Sequence, residues 1–83
     1  MIKIMRQRLE QAFCPSFLEI VDDSAKHIGH AGSQNGAGHY TIIITASCFK
    51  NKTRVTAHRE IYKVLFDLIP NDIHALQIQC RAL

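Results

Sequence analysis

Tyr40-Thr41-Ile42-Ile43-Ile44-Thr45 is the stretch from which the fold can be read. It is aromatic and β-branched throughout, a composition that suits a pleated surface packed on at least one side, and it predicts a strand. Downstream, Ser47-Cys48-Phe49-Lys50-Asn51-Lys52 predicts a turn or one short helical turn. Thr53 is then placed to N-cap a long helix running to about Leu68, with Val55, Ile61, Tyr62, Leu65, Leu68 and Ile69 as its apolar stripe. Pro70-Asn71-Asp72 ends that helix, and Ile73 to Cys80 (IHALQIQC) predicts a last short strand. Two strands joined through a helix are expected to run parallel with a right-handed crossover.

Upstream of the same strand, residues Ile2 to Phe13 repeat with helical period, with Ile2, Met5, Leu9, Ala12 and Phe13 on one face. Pro15 closes this helix, because a proline pushes the residue before it out of the helical region. Phe17 to Asp22 (FLEIVD) predicts a strand that pairs antiparallel with Tyr40–Thr45. Between them lies Asp23 to His39 (DSAKHIGHAGSQNGAGH), rich in glycine and without period, which is long for a connection in a small domain and of the kind that carries function. The whole is an α+β domain spanning residues 1–83. A three-stranded mixed sheet is covered on one face by both long helices.

The composition sets limits on what such a domain does. In 83 residues, 47% are hydrophobic and 20% charged, which excludes a disordered tail and a disulfide scaffold, and no apolar run approaches the ~20 residues of a membrane span. The net charge of +3 permits an acidic partner such as nucleic acid without demanding one. Three widely spaced cysteines, Cys14, Cys48 and Cys80, form no CxxC pair, and the N-terminus lacks the apolar core of a secretory signal. The expectation is a cytoplasmic chain with reduced thiols, monomeric or weakly dimeric when free.

Three constellations could carry chemistry. The first is histidine-rich: His27, His30 and His39 in or at the end of the loop, and His74 at the start of the last strand. Neighbouring parallel strands begin at the same sheet edge, so His74 and the loop histidines are expected to meet there as an open metal site. Cross-strand packing is the plainer account of His39, and no set of four good protein ligands is apparent, so a metal would need donors from a partner. The second is His58, placed mid-stripe on the long helix and expected to be a buried, hydrogen-bonded core residue with a structural role. The third is basic: Lys50, Lys52, Arg54, Arg59 and Lys63 around the turn and the long helix, a helix-turn-helix outline weakened by Glu60 and Asp67. Enzyme readings fare badly. There is no nucleophile elbow, phosphate loop or carboxylate pair at helical spacing, and Asp22-Asp23 beside His27 is too little for a mechanism.

Taken in order, these residues resemble the BolA family over nearly the whole chain. The anchors are Phe17-Leu18-Glu19-Ile20-Val21-Asp22-Asp23-Ser24, the His/Gly loop, His39-Tyr40 opening a strand and Ser47-x-Phe49 before a turn. They continue with Val55-x-x-His58-Arg59-x-x-Tyr62 and Ile73-His74-Ala75-Leu76. The resemblance implies a class II KH-like fold in the order αββααβ. It also implies a non-enzymatic cytoplasmic partner of monothiol glutaredoxins, the pair sharing a [2Fe–2S] cluster. In that family, the glutaredoxin cysteine and a glutathione thiol ligate one side. A histidine of the C-terminal strand and a His or Cys of the first strand–strand loop ligate the other. The matching positions are His74 with His30 or His27. BolA-like proteins are also described as DNA-binding transcriptional regulators of morphology and stress response, which points to Lys50, Lys52, Arg54 and Arg59 around the turn. Two positions depart from the family pattern. Asn51 stands where the turn usually has glycine, and asparagine tolerates the left-handed conformation. Ala57 stands where an arginine usually precedes the His-Arg pair, which removes one cation from the nucleic-acid face.

Overall fold

The computed structural model describes residues 1–24 and 38–82. The order is α1 (Ile2–Phe13), β1 (Phe17–Asp22), β2 (Gly38–Thr45), a 3-10 turn (Ser47–Phe49), α2 (Arg54–Val64), a second 3-10 turn (Phe66–Leu68) and β3 (Ile73–Arg81). The sheet order is β1-β2-β3, with β1 antiparallel and β3 parallel to β2. This is the αββααβ arrangement of a class II KH-like domain, with the first 3-10 turn as the short helical element.

β2 is the central strand, and its residues alternate between buried and half-buried. Ile42 and Ile44 are fully buried and Tyr40 nearly so, because period-two alternation sends all three to one face. Register brings Ile20 opposite Ile42 and Leu18 opposite Ile44 on one side, and Leu76, Ile78 and Cys80 opposite Tyr40, Ile42 and Ile44 on the other. Met5, Leu9 and Phe13 of α1 and Ala57 and Ile61 of α2 close the core over that face, with Phe49 tilted against Phe13 at 5.1 Å between ring centroids.

The end of α1 and the start of α2 have local causes. Pro15 follows a left-handed Cys14, whose N–H bonds back to the Glu10 carbonyl and satisfies the end of α1. Thr53 caps α2, its Oγ1 accepting the Thr56 N–H at 3.1 Å. The left-handed Asn51, at φ 66°, shapes the turn before it. Arg8 ties α1 to the end of α2: it forms a bidentate pair with Asp67 and also donates to the Val64 carbonyl. That pairing holds the Asp67 carboxyl below the usual range and raises Arg8.

Three expectations are corrected. The α-helix ends at Val64 rather than near Leu68; the chain tightens into a 3-10 turn in which Leu65 and Leu68, three residues apart, both face the core. The buried stripe of α2 is Ala57, Ile61, Leu65 and Leu68, whereas Val55 is 58% and Tyr62 41% exposed. The small Ala57 lets the helix approach the core, and Val55 and Tyr62 fall on its flank. His58, one residue on from Ala57, is therefore only half-buried, beside a cavity of about 350 Å³ that it lines with Arg54, Ile78, Gln79 and Cys80. No hydrogen bond joins its ring to another described residue, so it is not the satisfied core histidine that the stripe suggested. Among the described residues no helix is long and apolar enough to cross a membrane.

Candidate metal centre at the sheet edge

The edge where β2 and β3 both begin is held by its backbone. Gly38 donates its N–H to the Asp72 carbonyl at 3.0 Å, and the His39 carbonyl accepts the Asp23 N–H at 2.7 Å. The His39 N–H donates to Ser24 Oγ at 3.1 Å, and the Ser24 N–H donates to Asp22 Oδ1 at 2.9 Å. Thr41 Oγ1 donates to Asp23 Oδ2. The ends of β1 and β2 are thus cross-tied, and the same Ser24 contacts hold the Asp22 carboxyl below its usual range.

β3 carries a bulge at this edge. Gly38 pairs with Ile73 but His39 pairs with Ala75, so His74 is the extra residue. Bulges re-aim side chains. Here Ile73 is buried and Leu76 packs against the core, while His74 and Ala75 between them are exposed. The His74 ring lies 5.1 Å from that of His39, centroid to centroid, inclined at 51°. His39 is half-buried, with Nε2 shielded from solvent, and it helps line a cleft of about 90 Å³ with Asp23, Tyr40, Ala75 and Gln77.

The parallel pairing thus brings His74 to the end of the loop, as the strand order predicts. The residue beside it is His39, for which cross-strand packing is the plainer account from sequence. Its signal in the sequence is its place near the start of a strand parallel to the one where His74 stands. His27 and His30 lie outside the described residues. Among the described residues, no group of three or more His, Cys, Asp or Glu side chains could hold a metal ion. The thiols are unbridged and belong to the other end of the sheet. Cys80 pairs with Ile44, six residues along β3 from His74 and so about 20 Å away at ~3.3 Å per residue. Cys48 donates to the Phe13 carbonyl at that end at 3.7 Å. Among the described residues, the donors at the His edge are therefore the two imidazoles with the Asp23 carboxylate beside them, and no thiolate. This set fits half of a mixed shell and leaves the thiolate half to another molecule.

The basic residues do not form one surface. Lys52 is held by Glu60 at 2.8 Å. Lys50, Arg54 and Arg59 are exposed, but Arg54 sits over β3 beside His58, whereas Arg59 and Lys63 border an apolar cleft with Tyr62, Phe66 and Ile69.

The sequence pattern of the BolA family ("BolA-like protein") matches residues 9–83. The chain belongs to the BolA family. The "SufE-like protein 1, chloroplastic/mitochondrial" of Arabidopsis thaliana is 37% identical over 82 residues, covering 93% of this chain and 22% of that protein. The "DNA-binding transcriptional regulator BolA" of Escherichia coli is 33% identical over 79 residues, covering 90% of this chain and 72% of that protein. The structure described as the BolA domain of SufE1 from Arabidopsis thaliana superposes with a TM-score of 0.84 at 33% identity, over 96% of this chain and 88% of that one. The chain thus corresponds to one BolA domain, which in the plant protein is a small part of a larger chain. The α+β arrangement is that of BolA domains of known structure. In this member Asn51 supplies the left-handed turn residue.

Proposed function

We propose that this BolA-family domain is a non-enzymatic adaptor that binds a monothiol glutaredoxin and completes the ligand shell of a shared [2Fe–2S] cluster. The observation that carries the reading is the pair of imidazoles at the sheet edge, His74 exposed and His39 at 5.1 Å, with every thiol of the chain at the other end. A half-site without thiolates gains from a partner that brings them, and glutaredoxin and glutathione together bring two. His74 would be the outer ligand. The second would come from the loop, at His30 or His27, or from His39. Histidine in place of thiolate removes negative charge from a cluster and raises its potential, which is the chemistry this half-site would supply.

The test is to add the protein to cluster-loaded glutaredoxin and record the visible spectrum. The expected result is a changed spectrum that His74→Ala largely abolishes. Single replacements of His30, His27 and His39 would identify the second ligand by the larger loss. An unchanged spectrum, or the same change with His74→Ala, rejects the mechanism.

A DNA-binding regulator is the second reading, favoured by the exposed Lys50, Arg54 and Arg59 near the capped start of α2 and by the name of the bacterial relatives. With Lys52 engaged by Glu60, few phosphate contacts remain. At about −0.9 per contact, the slope of log affinity against log salt should be shallow, about −3 for three contacts. Titrating duplex DNA at several salt concentrations measures it, and a slope steeper by about one would show that Lys52 leaves Glu60 for phosphate.

A further inference from the structure

The flank of α2 that the core does not use is an apolar cleft. Tyr62, Phe66 and Ile69 line it with Arg59 and Lys63 at its border, around a volume of about 300 Å³. Phe66 is 76% exposed and Tyr62 41%. An aromatic left that far in water contributes little to folding, and an exposed apolar patch rimmed by charge is the kind of surface that marks interaction sites. The cations at the border are available. Among the described residues Arg6, Arg8 and Lys52 pair with Glu10, Asp67 and Glu60, while Arg59 and Lys63 have no carboxylate partner. The chain's own loop is the wrong occupant: residues 25–37 contain Lys26, His27 and His30 and no acid.

We infer that this cleft is a docking groove for an acidic, amphipathic peptide segment of a partner protein. One or two large apolar side chains seat against Tyr62, Phe66 and Ile69, and Asp or Glu within a turn of them meet Arg59 and Lys63. Aromatic and arginine side chains at the centre of such a groove carry most of the affinity, and the charges at its border set partner choice and salt dependence. The groove is built from α2 and the turn that follows it, and it functions whether or not the histidine edge binds a cluster.

The experiment is to select random phage-displayed peptides on the intact protein and measure the enriched ones by fluorescence anisotropy. Enriched peptides should combine Leu, Ile, Phe or Trp with nearby Asp or Glu. Phe66→Ser should weaken them at least about tenfold. Arg59→Ser with Lys63→Ser should weaken them and flatten their salt dependence. Phe66 is so exposed that Phe66→Ser should leave the thermal melt by circular dichroism unchanged, which separates lost binding from lost folding. No enrichment, enrichment of basic peptides, or peptides that bind Phe66→Ser as well as the wild type would each overturn the inference. The same protein is tested against phosphatidylcholine–phosphatidylserine vesicles, against oligothymidylate, and for self-association by sedimentation. Phe66-dependent binding in one of these without peptide binding would give the groove to a lipid surface, single-stranded nucleic acid or a second copy, and would equally overturn it.

Discussion

Gly38 opens β2 in a place where no side chain fits. A Cβ there would lie within 2.6 Å of the Tyr40 ring, two residues on along the same face of the strand. That ring is largely buried, with Asp22 and Asp72 nearby, and burial followed by these two carboxylates pushes the phenol pKa up. Gly38→Ala should therefore cost about 1–3 kcal/mol, as overpacking does, read from urea unfolding. Because His39 is the next residue, the displaced strand should also change the spectrum of any cluster bound there. Tyr40 makes a pH prediction. Its folded pKa is raised, so the unfolded chain ionises first as pH rises. The stability this gives is complete below the unfolded value of about 10 and is lost as pH climbs through the folded value. Thermal melts should fall above about pH 10, and Tyr40→Phe should remove that part of the fall, together with the later-titrating phenol seen by ultraviolet absorbance.

At the scale of elements, α2 shows how local signals and packing divide the work. Its start is local: Asn51 in the left-handed region, then Thr53 as cap. Thr53→Ala should cost about 1 kcal/mol, measured by chemical unfolding, because it orphans the Thr56 N–H in the first turn. Its face is not local. The buried face runs through Ala57, Ile61 and Leu65, since alanine permits close approach to the sheet, while Val55 and Tyr62 fall on the flank of the same helix. Tyr62 borders the apolar cleft. β1, by contrast, has the bounds that its sequence predicts, and β2 gains only Gly38 and His39, because β-branched runs bounded by turn residues leave little choice.

For the whole molecule, the decisive arrangement is that β2 and β3 are parallel neighbours. This places His39 and His74 at one end of the sheet, with Cys80 and Cys48 at the other. Metal ligation needs neutral imidazole, so protons compete with the metal for a histidine ligand. A complex held through His74 should therefore weaken as the solution is made acidic, while an all-thiolate cluster on glutaredoxin alone should be less affected over the same range. Titrating the visible spectrum of both between neutral and mildly acid pH checks this; equal sensitivity of the two would argue against histidine ligation.

The amino-acid sequence by itself determined the element order, the parallel pairing, the cap and turn residues, and the end of the sheet at which His74 must stand. Each follows from short-range chemistry: β-branching, helical period, proline and glycine geometry, and the connection that a helix imposes between strands. The tertiary structure alone decided that Ala57 joins Ile61, Leu65 and Leu68 in the core while Val55 and Tyr62 leave it, that His58 is half-exposed, that Lys52 is occupied by Glu60, and that a bulge sets His74 against His39. These depend on the close fit of one element against another, where the volume of one alanine or one extra residue in a strand changes which side chains meet, and neither is visible in the period of the pattern.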